Sequence, residues 1–323
     1  MLINYLWRIS LALGLIHSSI AISDQLEWHY EDVIEVTGDS DSWDEVYSTE
    51  RACVQTSHAP RYPVVLLHGF MGFDEVLRID YFYRVRSDYT RNCAQVFTPH
   101  LSALNYISVR AEELAANIDE ILEITGAEKV NIIAHSMGGL DARYLISSMG
   151  YGDRVASLTT IGTPHLGTPV PDYIWALLGK GDNILYQAFE FLVGGVVGKG
   201  KEQDLQAALY NLSPTYLNSF FNPANRDDNR VYYQSYAGMS SMTGVTTGDA
   251  LDPLLYLFAP SFIGTGRNDG LVPLESAKWG RFRGILRSDH IDLIGQLFGS
   301  TSWFFNHRKF YKNILDDLAA MGF

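Results

Sequence analysis

Apolar positions along this chain recur with two periods. Short apolar runs at Pro63–Leu67, Val130–Ala134 and Val155–Ile161 have the length and β-branched content of buried strands, and Gln95–Thr98 reads as another. Between them the spacing turns helical. Over Arg110–Thr125, Ala111, Leu114, Ala115, Ile118, Ile121 and Leu122 share one face while Glu112, Glu113, Asp119, Glu120 and Glu123 fill the other, and Gly126 supplies the stop. Gly139–Met149 reads as a second helix, closed by Gly150. Strands alternating with helices predict an α/β fold, a mostly parallel sheet with helices on both faces. There is no internal repeat, and no linker long enough to separate two domains.

Tyr173–Gly200 breaks this pattern. Its apolar residues run nearly all the way round a helix, and glycines flank it at 179, 181, 194, 195, 198 and 200. A core helix and a mobile lid over an apolar site both fit such a stretch.

The amino-terminal end differs again. Residues 1–23 hold one charge, Arg8, then the apolar run Ile9–Ile16, then small residues at Ala21 and Ser23. The run is shorter than the roughly 20 residues a membrane span needs. This is the pattern of a secretory signal peptide cut after Ser23, with a retained anchor as the alternative, and it predicts a secreted or periplasmic protein. Residues 24–61 form an acidic extension. Its first part, 24–50, carries ten Asp and Glu and no Lys or Arg, out of a net charge of −13 for all 323 residues. Trp28, Tyr30, Trp43 and Tyr47 suggest an extension packed on the main domain rather than a solvated tail. The acidic balance argues against a nucleic-acid partner. Two cysteines, Cys53 and Cys93, suggest a disulfide in an oxidising compartment, with two buried thiols as the alternative.

The chemistry concentrates in Val130–Leu140, where a strand leads through Ala134-His135-Ser136-Met137-Gly138 into a helix. That is the setting of a nucleophile elbow, which holds Ser136 on a strained turn. A serine needs a histidine base and an acid to orient it, in the chain order Ser, acid, His. His290, late in the chain before the terminal helix, is the expected base, ahead of His165. Asp269, in the turn Arg267-Asn268-Asp269-Gly270, is the expected acid; Asp289 and Asp292 compete but lie too close to His290 in sequence. The amides of Met137, after the nucleophile, and Phe70, in the Gly-rich loop after the first strand, are the expected oxyanion donors.

Tyr62–Asp74, Ala134–Gly139, Ile161–Gly167, Asn268–Val272 and Asp289–Gln296, in that order, resemble bacterial triacylglycerol lipases of the Pseudomonas and Burkholderia type, over Tyr62 to Phe323. The resemblance implies an α/β-hydrolase catalytic domain over 62–323 with a helical lid near 173–200. It implies a serine carboxylic ester hydrolase acting on triacylglycerols or other apolar esters at a lipid–water interface, with Ser136, Asp269 and His290 as the triad. It also implies a structural calcium ion held by the carboxylates of Asp252 and Asp292 and the carbonyls of Gln296 and Ser300; oxygen ligands suit that ion. An esterase or polyester depolymerase with the same triad, and a non-catalytic lipid-binding protein, are the competing readings. Ala134 replaces the family's usual glycine, the acidic extension has no counterpart, and the cysteines do not match the family's disulfide. Dependence on a dedicated folding chaperone is therefore open.

Overall fold

Val64–Leu67, wholly apolar and fully buried, is an inner strand (β2) of a parallel sheet in the computed structural model. The structure describes residues 33–34, 59–70, 75–76, 79–179, 183–187, 203–240, 255, 258, 261–262, 265–296 and 298–323. Among them the main sheet has seven strands: β1 Val33–Ile34, β2, β5 Val96–Phe97, β6 Val130–His135, β7 Val155–Ile161, β8 Tyr232–Gly238 and β9 Arg281–Leu286. Their order is β1-β9-β8-β7-β6-β2-β5, and every pairing is parallel. A short antiparallel pair, β3 Glu75–Val76 with β4 Ile79–Asp80, follows β2. This is the parallel α/β arrangement that the alternating runs predict.

Both sheet faces are covered. Helices α1 (Val85–Arg91) and α6 (His307–Ala320) pack through Val85, Tyr89, Phe310 and Ile314 against Val64, Leu66 and Ile133. On the other face, α2 (Ile107–Thr125) and α3 (Gly138–Ser147) bury Ala111, Leu114 and Leu145 against Val65, Leu67 and Ile132. A strand buried on both faces alternates which layer it feeds, so its sequence reads as unbroken apolar residues.

Helix α2 starts a turn before the predicted Arg110. No side chain of the preceding residue caps it; the amide of Ile107 donates to Asn211 Oδ1 at 2.7 Å, a partner 104 residues away. Its end is local: Gly126, at φ +68°, takes the left-handed position past the last turn.

The predicted lid is described in two pieces. Val170–Leu178 forms helix α4, burying Pro171 and Ile174 and exposing Leu177. In 183–187, Tyr186 is fully buried in the cluster with Leu205 and Leu209 of α5 (Leu205–Leu212), while Ile184 is 79% exposed. Within these two pieces some apolar side chains are anchored in the core and others point outward. Residues 180–182 and 188–200 lie outside the described residues, as do residues 1–23, where the signal peptide is expected, most of the acidic extension, Cys53 and Asp252. Of the extension, Val33–Ile34 is described and adds the edge strand β1 beside β9. No helix among the described residues is long and apolar enough to cross a membrane.

Candidate active site

Strand β6 ends at His135 and α3 begins at Gly138, so the chain turns within two residues. Ser136 absorbs the turn with φ +54°, a left-handed backbone that a residue with a Cβ adopts only under constraint. The constraint is visible on both sides: the Ser136 amide donates to Ile161 O at 3.0 Å, and Thr163 Oγ1 donates to Ser136 O at 2.8 Å. Close approach explains the neighbouring glycines. A Cβ on Gly138 would lie 2.7 Å from His68 O, and one on Gly69 would lie 2.6 Å from Ser136 Cβ. Ala134 is fully buried within β6, two residues before the turn.

Asp269 and His290 meet at the same end of the sheet. His290 Nδ1 lies 2.8 Å from Asp269 Oδ2, both residues buried, and the His290 amide donates to Asp269 O at 2.8 Å. The other carboxylate oxygen of Asp269 accepts the amides of Leu271 and Val272 at 3.0 and 2.7 Å. The acid is therefore held by its own turn and holds the histidine by ring and backbone together. The competing acids are used elsewhere: Asp289 accepts the amides of Ile291 and Asp292, and Asp292 accepts the amide of Ser302 at 2.7 Å. His165 is buried against Thr160 and stacked on Trp279; burial first, and then the Arg143 guanidinium, holds its pKa well below the ordinary value. The His290 ring packs 4.5 Å, centroid to centroid, from His135, the residue before Ser136. Nucleophile, base and acid thus share one corner.

Phe70 follows Gly69 in the loop after β2, and Met137 opens α3. The two backbones nearly touch, since a Cβ on Gly69 would lie 3.2 Å from Met137 N. The Gly69 carbonyl is pulled away from this point by His68 Nδ1–H at 3.0 Å and Arg110 Nη2 at 3.5 Å. Across a trans peptide the following N–H points opposite to the carbonyl, so these contacts set the direction of the Phe70 amide. Arg110, fully buried, also donates to His68 O and Ser102 O and pairs with Asp141 at 2.8 Å. Burial pushes the Asp141 carboxyl up to about 6, against the pull of Arg110.

Of the predicted calcium ligands, Asp292 and Gln296 are buried in the loop after His290 and Ser300 is exposed. Gln296 Nε2 donates to Asp80 O and Tyr81 O at 2.6 and 3.0 Å. Tyr81, His68 and Arg110 were not singled out from the sequence. Tyr81 and Arg110 stand in ordinary strand-end and helix contexts, with no motif around them.

This elbow, with a buried Asp–His pair beside it on a parallel sheet, defines the alpha/beta hydrolase fold class; the family model of that description matches residues 62–280, and the chain belongs to that family. Within it, the chain is 34% identical over 265 residues to a triacylglycerol lipase of Vibrio cholerae, covering 76% of this chain and 83% of that protein. It is 30% identical over 303 residues to a triacylglycerol lipase of Burkholderia plantarii, covering 78% and 84%. Among solved structures, the Staphylococcus hyicus lipase aligns with a TM-score of 0.58 at 18% identity, over 84% of this chain and 98% of that one, and so shares the fold.

Proposed function

We propose that the protein is a triacylglycerol lipase that hydrolyses carboxylic esters through Ser136, His290 and Asp269. The observation that carries this reading is Ser136 at φ +54° on the elbow, one residue from the imidazole that packs on the Asp269-bound His290. His290 takes the Ser136 hydroxyl proton as Oγ attacks the ester carbonyl carbon. The oxygen that gains the charge accepts the amides of Phe70 and Met137. The His290 imidazolium, steadied by Asp269, then gives its proton to the departing alcohol. Water, deprotonated by His290, cleaves the acyl-enzyme and releases the acid. Ser136→Ala removes the nucleophile and little volume, so hydrolysis is expected to fall by about 10⁴-fold or more with an unchanged melting temperature. Covalent labelling of the wild type at Ser136 by a phosphonate ester completes the test; hydrolysis retained in Ser136→Ala sinks the mechanism.

The stretch 173–200 serves in this reading as a lid whose outward apolar residues favour the open state at a lipid surface. Turnover of a short-chain triglyceride should jump when its solubility limit is passed. Smooth saturation below that limit would instead mark an esterase. Secretion follows from the first 23 residues, and the mature protein recovered outside the cytoplasm should begin at Asp24.

Calcium fits the loop after His290. All the proposed donors are oxygens, the buried Asp292 carboxylate and the backbone carbonyls of Gln296 and Ser300 among them, and the Gln296 side chain adds a further oxygen, Oε1, that is buried without a hydrogen-bond partner among the described residues. Asp292 and Gln296, with Asp252 and Ser300, would hold the ion, which supplies charge and rigidity rather than chemistry. Chelation is expected to lower the melting temperature by several degrees, restored by added calcium but not magnesium; no shift on chelation would discard the site.

A further inference from the structure

We propose that Tyr81 and His135 are positioning residues for the hydrolysis, linked in a one-directional hydrogen-bond chain that ties the backbone of the oxyanion loop to the backbone of His290. The proposal rests on the triad reading above and adds to it a connection between its two halves.

The direction of the chain follows from its last member. His290 O is a carbonyl and only accepts, so His135 Nε2, 3.1 Å away, carries the ring hydrogen. In a neutral imidazole the other nitrogen then accepts, so the Tyr81 hydroxyl, 2.8 Å from His135 Nδ1, donates to it. With its own hydrogen committed, the Tyr81 oxygen accepts the Gly69 amide at 3.2 Å. The chain therefore runs from Gly69 N–H through Tyr81 and His135 to the His290 carbonyl, and every hydrogen has one place to go. All four residues are buried.

Charge supports the same assignment. Burial first, and then the neighbouring His290, hold the His135 pKa well below the usual imidazole range. A neutral His135 is what the chain requires. It is also what the mechanism requires, because the ring 4.5 Å away must become an imidazolium during acylation.

Each end of the chain meets a reacting element. His290 is held at its amide by Asp269 O and at its carbonyl by His135, so the residue bearing the base is fixed on both sides. Gly69 is held at its amide by Tyr81 and at its carbonyl by His68 and Arg110, so the next amide, that of Phe70, is aimed from both sides. Loosening Tyr81 or His135 should disturb base and oxyanion donor together. Such a change appears in the transition state and leaves substrate binding alone.

The test uses the full chain and a water-soluble short-chain ester below its solubility limit, so that lid opening does not enter. Tyr81→Phe removes one hydroxyl, and His135→Leu removes the ring polarity at similar size. Each is expected to lower kcat by roughly ten- to hundredfold with KM within about twofold. The double variant should be no worse than the poorer single, since the residues act as one unit. His135→Gln offers an N–H₂ to His290 O and a carbonyl to Tyr81, and should recover most of the loss. The nitrogen-15 spectrum of the wild-type His135 ring should show Nε2 protonated and Nδ1 bare. Unchanged kcat in folded Tyr81→Phe, a loss carried by KM alone, no recovery with Gln, or a proton on Nδ1 would each overturn the proposal. A wild type that neither turns over nor is labelled by phosphonate would instead fail the triad reading, and the ring's protonation state would still decide the chain.

Discussion

Ser136 pays for its reach with backbone strain, and the strain is separable from the chemistry. A residue with a Cβ held at φ +54° costs about 1–2 kcal/mol relative to glycine. Ser136→Ala keeps that cost while losing the hydroxyl, whereas Ser136→Gly loses both. Urea unfolding should therefore find Ser136→Gly more stable than Ser136→Ala by about 1 kcal/mol, with both inactive. Equal stabilities would mean that the turn is relaxed. This also explains which residues are legible in sequence. Ser136 and Asp269 each sit in a local signature, small residues packed round a turn or a turn that returns its own amides to the acid, and His290 is legible from its late place in the chain order, before the terminal helix. Arg110 has no such signature, because what makes it matter is where His68 O and Gly69 O lie, some 41 residues away along the chain.

At the scale of elements, an apolar period marks a helix body and local chemistry marks its ends only when the cap is local. Gly126 ends α2 as predicted, but Asn211 begins it from across the fold, and no window of sequence contains both. Helix α6 shows the converse. Asn306 caps it through the Lys309 amide, and His307 in its first turn is drawn inward, donating from Nε2 to Tyr83 O at 3.1 Å. Burial lowers the His307 pKa to about 4 from 6.5. The folded state therefore resists the proton that the unfolded chain accepts. The stability this neutral ring contributes is fully present above pH 6.5 and is lost as pH falls from there towards 4, below which the loss levels off. The full shift corresponds to about 3 kcal/mol as an upper figure. His307→Gln, which keeps a donor for Tyr83 O, should flatten the fall in stability between pH 6.5 and 4 in denaturant titrations. A slope identical to wild type would place the acid sensitivity in the other buried histidines, His135 and His165.

Across the whole molecule, the seven parallel strands and their two helix layers follow from the alternation of short apolar runs with helical periods, whereas the order of the strands does not. Strand β1 is the clearest case. The aromatic residues around Val33 and Ile34 suggest packing on the main domain, but two β-branched residues inside an acidic stretch do not spell a strand, and they pair with Ile285 and Leu286 at the edge of β9. A parallel edge left open is a template for another chain, and charge or cover is what prevents that. Here the extension brings both, since it supplies the covering strand and ten carboxylates. A chain beginning at Ala59 loses ten carboxylates and two arginines, which takes the net charge from −13 to −5. It keeps the other six strands, with Ser136, Asp269 and His290, so it should hydrolyse a soluble ester at the wild-type rate. It should also self-associate as its concentration rises, seen by light scattering after size exclusion. The double variant Val33→Pro/Ile34→Pro separates the two causes, because it removes the strand and keeps the charge. Association in both variants assigns the protection to the covered edge. Association in the truncated chain alone assigns it to charge repulsion. A monomer in both would mean that β9 needs neither.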